Sequence, residues 1–245
     1  MNNSLIVLSH RAQDGYDPLK GDVFIRAEEG GNHLMQYMSG SIRMYTMLGT
    51  SNSCVYPRWG AGLEIGGWAN LNAPGYFSPM AYGYFYGYIP GFMRSHGIKL
   101  TAMSQTKVSD APFGQKVVNV LPRGYNNAAM LSSYLANMSG SMGRFTADYA
   151  VPIYIGDVSI GGSFFAVKRL VVAPHFDYTI TGEGNLWSAG TELILDLNSI
   201  LTLGWPCSIG LSASYNGGPA LQSISESSGI EIARWKFTPT FNVTF

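Results

Sequence analysis

Trp235-Lys-Phe-Thr-Pro-Thr-Phe-Asn-Val-Thr-Phe245 alternates between apolar and polar side chains almost without interruption. Successive residues of a strand point to opposite sides, so Trp235, Phe237, Phe241, Val243 and Phe245 share one face. Lys236, Thr238, Thr240, Asn242 and Thr244 share the other. A tilted strand needs about 9–11 residues with one apolar and one polar face to cross a bilayer. An amphipathic strand of a soluble sandwich reads the same way. The apolar face here runs out to the last aromatic, where the end of a soluble chain usually frays, and this favours the membrane reading.

The same period-two pattern recurs upstream. Cys207, Ile209, Leu211, Ala213 and Tyr215 oppose Ser208, Gly210, Ser212, Ser214 and Asn216. Trp187, Ala189, Leu193 and Leu195 oppose Ser188, Gly190, Glu192 and Asp196. Leu170, Val172, Pro174, Phe176 and Tyr178 oppose Arg169, Ala173, His175, Asp177 and Thr179. Phe145, Ala147, Tyr149, Val151 and Ile153 oppose Arg144, Thr146 and Asp148. One face of each strand is apolar, and no amphipathic helix is evident to cover it. A second sheet could cover it, and so could lipid.

Composition narrows the choice. Charged residues are 12% of the 245, well below the ~25% of a soluble domain, while 30 are glycine and 13% are aromatic. Mean hydropathy is +0.07, and no uncharged apolar run reaches the ~18 residues of a transmembrane helix. The 15 basic and 15 acidic residues give no reason to expect nucleic-acid binding. The segment Met1–His10 has no basic start followed by an apolar core, so a secretory signal is not expected in it. Cys54 and Cys207 have no metal-ligand spacing. Cys207 lies among outward-facing positions and reads as an unpaired small hydrophobe, with a disulfide as the lesser alternative.

Strands are expected over Asp22–Ala27, Gln36–Leu48, Pro57–Ala69, Met80–Gly91 and Gly97–Lys107. The run Tyr82-Gly-Tyr-Phe-Tyr-Gly-Tyr88 puts its tyrosines on one side and Gly83, Phe85 and Gly87 on the other. Such a strand fits an interfacial girdle or a tyrosine ladder of a soluble protein, and its glycines imply close packing against their backbone. Residues 108–139 read as a long connection without strand alternation, a type of loop that is usually functional or disordered. Residues 216–229 read as a polar loop. The expected fold is all-β: one domain over 1–245, an antiparallel transmembrane β-barrel with about ten or eleven strands.

The long connection contains Leu121-Pro122-Arg123-Gly124-Tyr125, and about five strands follow it. Here the chain resembles the C-terminal barrels of the BamA-type superfamily of outer-membrane assembly and translocation proteins, the bacterial surface antigens. That family carries a Val/Ile/Leu-Arg-Gly-Phe/Tyr motif on an extracellular loop that folds back into the lumen. Asp148-Tyr149-Ala150-Val151-Pro152, the Phe176-Asp177 pair within His175–Tyr178, and Ser188-Ala189-Gly190 resemble signatures of its following strands. Pro57-Arg58-Trp59-Gly60, Tyr88–Phe92 and Ser95-His96-Gly97 are similar to related barrels, some of them fused to β-propeller repeats. The resemblance covers roughly residues 55–245. Pro122 departs from it, since the family usually has a small or polar residue there. The family's barrel has about sixteen strands, within the even-numbered bacterial range, so the resemblance implies that this chain is an incomplete, C-terminal part of such a barrel.

The resemblance further implies a loop anchored in the lumen by Leu121, Arg123, Gly124 and Tyr125. Asp177 would be the lumen anchor, with Asp148 and Glu192 as second choices. It also implies that Trp235, Phe237, Phe241, Val243 and Phe245 form a C-terminal assembly signal. Physically, a guanidinium carried out of water needs a partner, and its planar fork matches a carboxylate with two hydrogen bonds. Tyr125 is expected against the inner wall, over Gly83 and Gly87. The four histidines, His10, His33, His96 and His175, have no metal-ligand spacing, and His175 reads as a satisfied residue beside Asp177. No catalytic residue, metal or cofactor is expected. The expected partners are outer-membrane lipid, the barrel assembly machinery and unfolded protein cargo, with no nucleic acid; the expected location is the outer membrane of a Gram-negative bacterium. Alternatives are a passive pore or structural barrel, and a soluble β-sandwich binding a ligand through its tyrosines.

Overall fold

The computed structural model describes residues 2–14, 34–50, 54–71, 75, 77–125, 128–160, 165–200 and 207–243. They form a single ten-stranded sheet in which every strand pairs with its sequence neighbours, order β1 to β10. The strands are β1 (Asn2–Asp14), β2 (Leu34–Met47), β3 (Gly60–Asn70), β4 (Met80–Pro90), β5 (Gly97–Lys107), β6 (Ser141–Ile160), β7 (Phe165–Thr181), β8 (Gly184–Ile200), β9 (Cys207–Gly217) and β10 (Trp235–Val243). All nine pairings are antiparallel. The chain is therefore all-β, an open antiparallel meander joined by local connections. Among the described residues two helices accompany it, α1 (Ala128–Met138) and α2 (Leu221–Ser228).

Alternation sorts the sheet into two faces. On one, Phe145, Phe176, Leu193, Leu211, Trp235 and Phe237 are exposed, with Trp235 and Phe237 at 61% and 66%. On the other, Thr146, Asp148, His175, Asp177, Ser188, Ser214 and Asn216 are buried. This second, polar face is where the described part of residues 108–139 packs. The largest apolar cluster sits at one end of that face and contains Val120, Leu121, Tyr125, Leu131, Leu135, Leu186, Ile224, Ile230 and Ile232. Each fully buried Leu or Ile in such a cluster contributes about 1.5–3 kcal/mol. The cluster forms a cap built from the long connection, α1 and the β9–β10 connection.

Several expectations need correction. Residues 108–139 and 216–229 are not wholly loops, because each contains a helix. Helix α1 carries Ala128, Leu131, Ser132, Leu135 and Ala136, the helical spacing of one buried stripe; Leu131 and Leu135 are fully buried. Helix α2 is polar except for Leu221 and Ile224, and only Ile224 is fully buried, so composition hides it. It stops at Gly229, whose φ of 67° suits the left-handed position after a helix. Strands β6–β8 run beyond their readable alternation because the register shifts between Tyr154 and Val158 and between Ala166 and Arg169, which breaks a period-two pattern. Strand β1 was not expected, since Leu5-Ile-Val-Leu8 does not alternate. The predicted strand Asp22–Ala27 lies outside the described residues.

The tyrosines of β4 are not on the apolar face, where a girdle would have to be. Tyr86 pairs with Thr101, Thr101 with Thr146 and Thr146 with Asp177, a single row across the polar face. Nor are Gly83 and Gly87 crowded: an added Cβ at either would meet nothing closer than 3.5 Å. The glycines crowded by these tyrosines are Gly62 and Gly66 of β3, beneath the rings of Tyr86 and Tyr82. Cys54 and Cys207 are free thiols, and Cys207 is buried beside Val167 and Leu197.

Candidate functional site

The polar face of β5–β10 holds the long connection by side chains projecting from successive strands. Gln105 on β5 accepts hydrogen bonds from the Val117 and Val118 amides, at 3.0 and 3.1 Å, and donates to the Gln115 carbonyl at 3.1 Å. Thr179 on β7 donates to the Val120 carbonyl at 2.7 Å. Asn216 on β9 donates to the Gly124 carbonyl at 2.8 Å and to Ala233 at 2.9 Å. Lys236 on β10 donates to the Tyr125 carbonyl at 3.1 Å. These contacts satisfy backbone carbonyls and amides that a buried loop would otherwise leave unpaired.

The loop's arginine reaches three carboxylates on three adjacent strands. Arg123 Nε and Nη2 donate to the two oxygens of Asp177 at 3.0 and 2.9 Å, a two-point fork. The Arg123 amide donates to the same carboxylate at 2.7 Å. Nη2 also pairs closely with Asp148, and Nη1 is 3.4 Å from Glu192. Asp177 is fully buried and takes a further bond from Arg144 Nη2 at 3.0 Å. Burial opposes the charged form of Arg123, but the hydrogen bonds and charges of Asp177 and then Asp148 outweigh it and raise the pKa above the usual guanidinium value. The guanidinium is therefore a permanent charge, and the cluster is a lock.

The flanking motif residues each have a physical task. Leu121 is buried in the cap cluster. Gly124 has φ of 88°, and an added Cβ would lie 2.4 Å from Ser214 Cβ; both facts require glycine. Tyr125 is buried, and its hydroxyl bonds the carbonyls of Gly217 and Trp187 at 3.0 and 3.3 Å. Burial pushes its phenol pKa up. Tyr125 thus packs at the end of β8 and β9, not over Gly83 and Gly87 as expected.

The structure brings together Arg123, Asp177, Asp148 and Glu192. Trp235, Phe237 and Phe241 lie on the exposed apolar face of β10. Val243 is the last residue of β10, and Phe245 lies outside the described residues. Sequence reasoning missed Arg144, Gln105, Thr179, Asn216 and Lys236 as loop partners; their only signal was a polar residue at an inward position. His175 sits one row away from Asp177. Its Nε2 is 3.4 Å from Ser214 Oγ, and its Nδ1 is 3.9 Å from Glu192. That order matches nucleophile, base and orienting acid, but Ser214 is 2% exposed and Gly124 lies against it, so a substrate carbonyl has no room there.

Among the described residues, no group of three or more His, Cys, Asp or Glu could hold a metal ion. No described helix is long and apolar enough to cross a membrane. Compared with protein-family models, with curated proteins and with solved structures, the chain gives no match in any of the three.

Proposed function

We propose that the chain is part of an outer-membrane β-barrel of the BamA type, acting without catalysis in the insertion or translocation of protein cargo. The carrying observation is the loop arginine, Arg123, forked onto Asp177 on the polar face of a meander, with β6–β10 following it. The opposite face supports the same reading. Its exposed aromatic and aliphatic side chains run from Ile65 on β3 to Phe241 on β10. Helices α1 and α2 contribute to the cap on the polar side, leaving this face uncovered among the described residues. A continuous apolar surface of that extent is costly in water and suited to lipid.

In this reading the Arg123 lock holds the loop inside the barrel and keeps β6–β8 in register. The test begins with extraction and electrophoresis. The expected protein requires detergent, migrates differently before and after boiling, and, in liposomes, accelerates insertion of an unfolded barrel client. A chain that is monomeric and folded in buffer without detergent sinks the membrane reading, and insertion into liposomes with no effect on client folding leaves only a passive wall. Reversing the charges at both Arg123 and Asp177 is expected to recover part of the folding lost in either single variant.

A further inference from the structure

Away from the cap, the polar face carries a second built surface that the loop does not use. Tyr82, Tyr84, Tyr86 and Tyr88 of β4 face Gly66, Glu64, Gly62 and Gly60 of β3 across the ladder. The ring of Tyr86 leans over Gly62, where an added Cβ would come within 2.2 Å of it, and Tyr82 leans over Gly66, where the approach would be 2.5 Å. Glycine at these positions lets the rings lie down on the backbone. The rings also touch in series: Tyr84 to Tyr86 at 5.6 Å, Tyr86 to Tyr88 at 5.8 Å, and Tyr88 to Tyr56 at 5.7 Å between centroids. All five are only part-buried. The result is an aromatic track along one strand, edged by hydroxyl groups.

We propose that this track binds a neutral saccharide chain, an inference that goes beyond the barrel reading and does not depend on it. Charge along it is sparse: Arg43 Nε bonds Glu64 at 2.6 Å, the Tyr82 hydroxyl donates to the other Glu64 oxygen at 2.9 Å, and Lys99, across the ladder from Tyr88, is a single cation at the far end. A nucleic acid would need cations free to neutralise its phosphates. An extended polypeptide captured by strand addition would need a free edge, whereas β4 is paired on both sides. A sugar chain needs neither. Its C–H faces suit the apolar ring faces, its hydroxyls suit the phenol rim, and tyrosine supplies such contact area at low cost in side-chain entropy.

The test uses the whole chain folded in lauryldimethylamine oxide, a detergent without a sugar headgroup, titrated with maltohexaose, cellohexaose, glucose and an uncharged hexapeptide. At least one hexasaccharide is expected to bind and glucose to bind far more weakly, because only a chain spans several rings. Tyr84→Ala combined with Tyr86→Ala is expected to weaken binding roughly 10-fold or more, and Tyr86→Phe by only about 2–3-fold, since the ring face survives. Gly62→Ala should also weaken binding by lifting the Tyr86 ring. Nitration of the wild-type protein, mapped by mass spectrometry, should show Tyr84, Tyr86 and Tyr88 protected by the bound hexasaccharide, a readout that needs no variant. Binding of neither hexasaccharide by protein with intact circular dichroism overturns the proposal. So does equal affinity in the double variant, absence of protection at these tyrosines, or binding of the hexapeptide alone.

Discussion

Strands β6–β9 and strands β3–β4 share one sheet and one alternation, yet their polar faces are filled by opposite means. Over β6–β9 the side chains of this face that meet the long connection are polar or charged, and the connection covers them; Arg144, Asp177, Thr179, Ser188 and Asn216 are all buried. Over β3–β4, Gly60, Gly62 and Gly66 of one strand lie opposite Tyr88, Tyr86 and Tyr82 of the other, so the sheet supplies its own cover there. The first solution stakes stability on charge pairing between distant parts of the chain. The second spreads it over neighbouring contacts, the familiar use of an aromatic ring to shield a strand glycine. The difference predicts unequal tolerance of substitution.

The largest effect is expected at Asp177. Its replacement by alanine takes the carboxylate from Arg144 and leaves Arg123 only Asp148 and Glu192, and breaking such a buried pair typically costs about 3–5 kcal/mol. Urea unfolding of the folded protein measures it, and a loss below about 1 kcal/mol, the value of an exposed pair, would show that the cluster is not a lock. Gly124→Ala comes next. It combines a positive φ with a clash at Ser214 and should cost about 1–3 kcal/mol, visible as faster proteolytic cutting of the 108–139 connection. Undiminished resistance to protease would place the loop's hold elsewhere.

Gly62→Ala tests the other region. Because the tyrosine ring can swing aside, the expected loss is about 1 kcal/mol, at the lower end for overpacking, and it should leave cutting of the long connection unchanged. Coupled effects on both regions would mean that the two halves of the polar face are not independent.

The smallest effect belongs to Tyr125→Phe, which removes one hydroxyl shared by two carbonyls and should cost about 1 kcal/mol. Its pH dependence carries a definite sign. The phenol pKa is raised in the folded state, so its contribution is present below the unfolded value of about 10 and is lost as pH rises beyond it. Alkaline unfolding monitored by tyrosinate absorbance should therefore show wild type more stable than Tyr125→Phe by about 1 kcal/mol below that pH, with the gap closing above it.

From β6 onward, strand content and the side of the sheet were legible in the sequence wherever the alternation is unbroken. Phe145, Phe176 and Trp235 read as facing away from Asp148, Asp177 and Lys236, and they do. Period-two patterning is local, so it survives without tertiary context. The Arg123–Asp177 pairing was legible only through resemblance, because nothing local relates residues 54 positions apart. The helices were harder: α1 was hidden in a stretch searched for alternation, and α2 in a polar composition.

Alternation by itself determined that this chain is an antiparallel β protein with one apolar and one polar face. Only the tertiary structure decided what the polar face does with its charges and rings. Register brings Tyr82 and Tyr86 over Gly66 and Gly62, and it sets Asp148, Asp177 and Glu192 around a single guanidinium. Side-chain direction along a strand follows from backbone geometry alone, whereas the partner across the sheet depends on strand order and register, which belong to the chain as a whole.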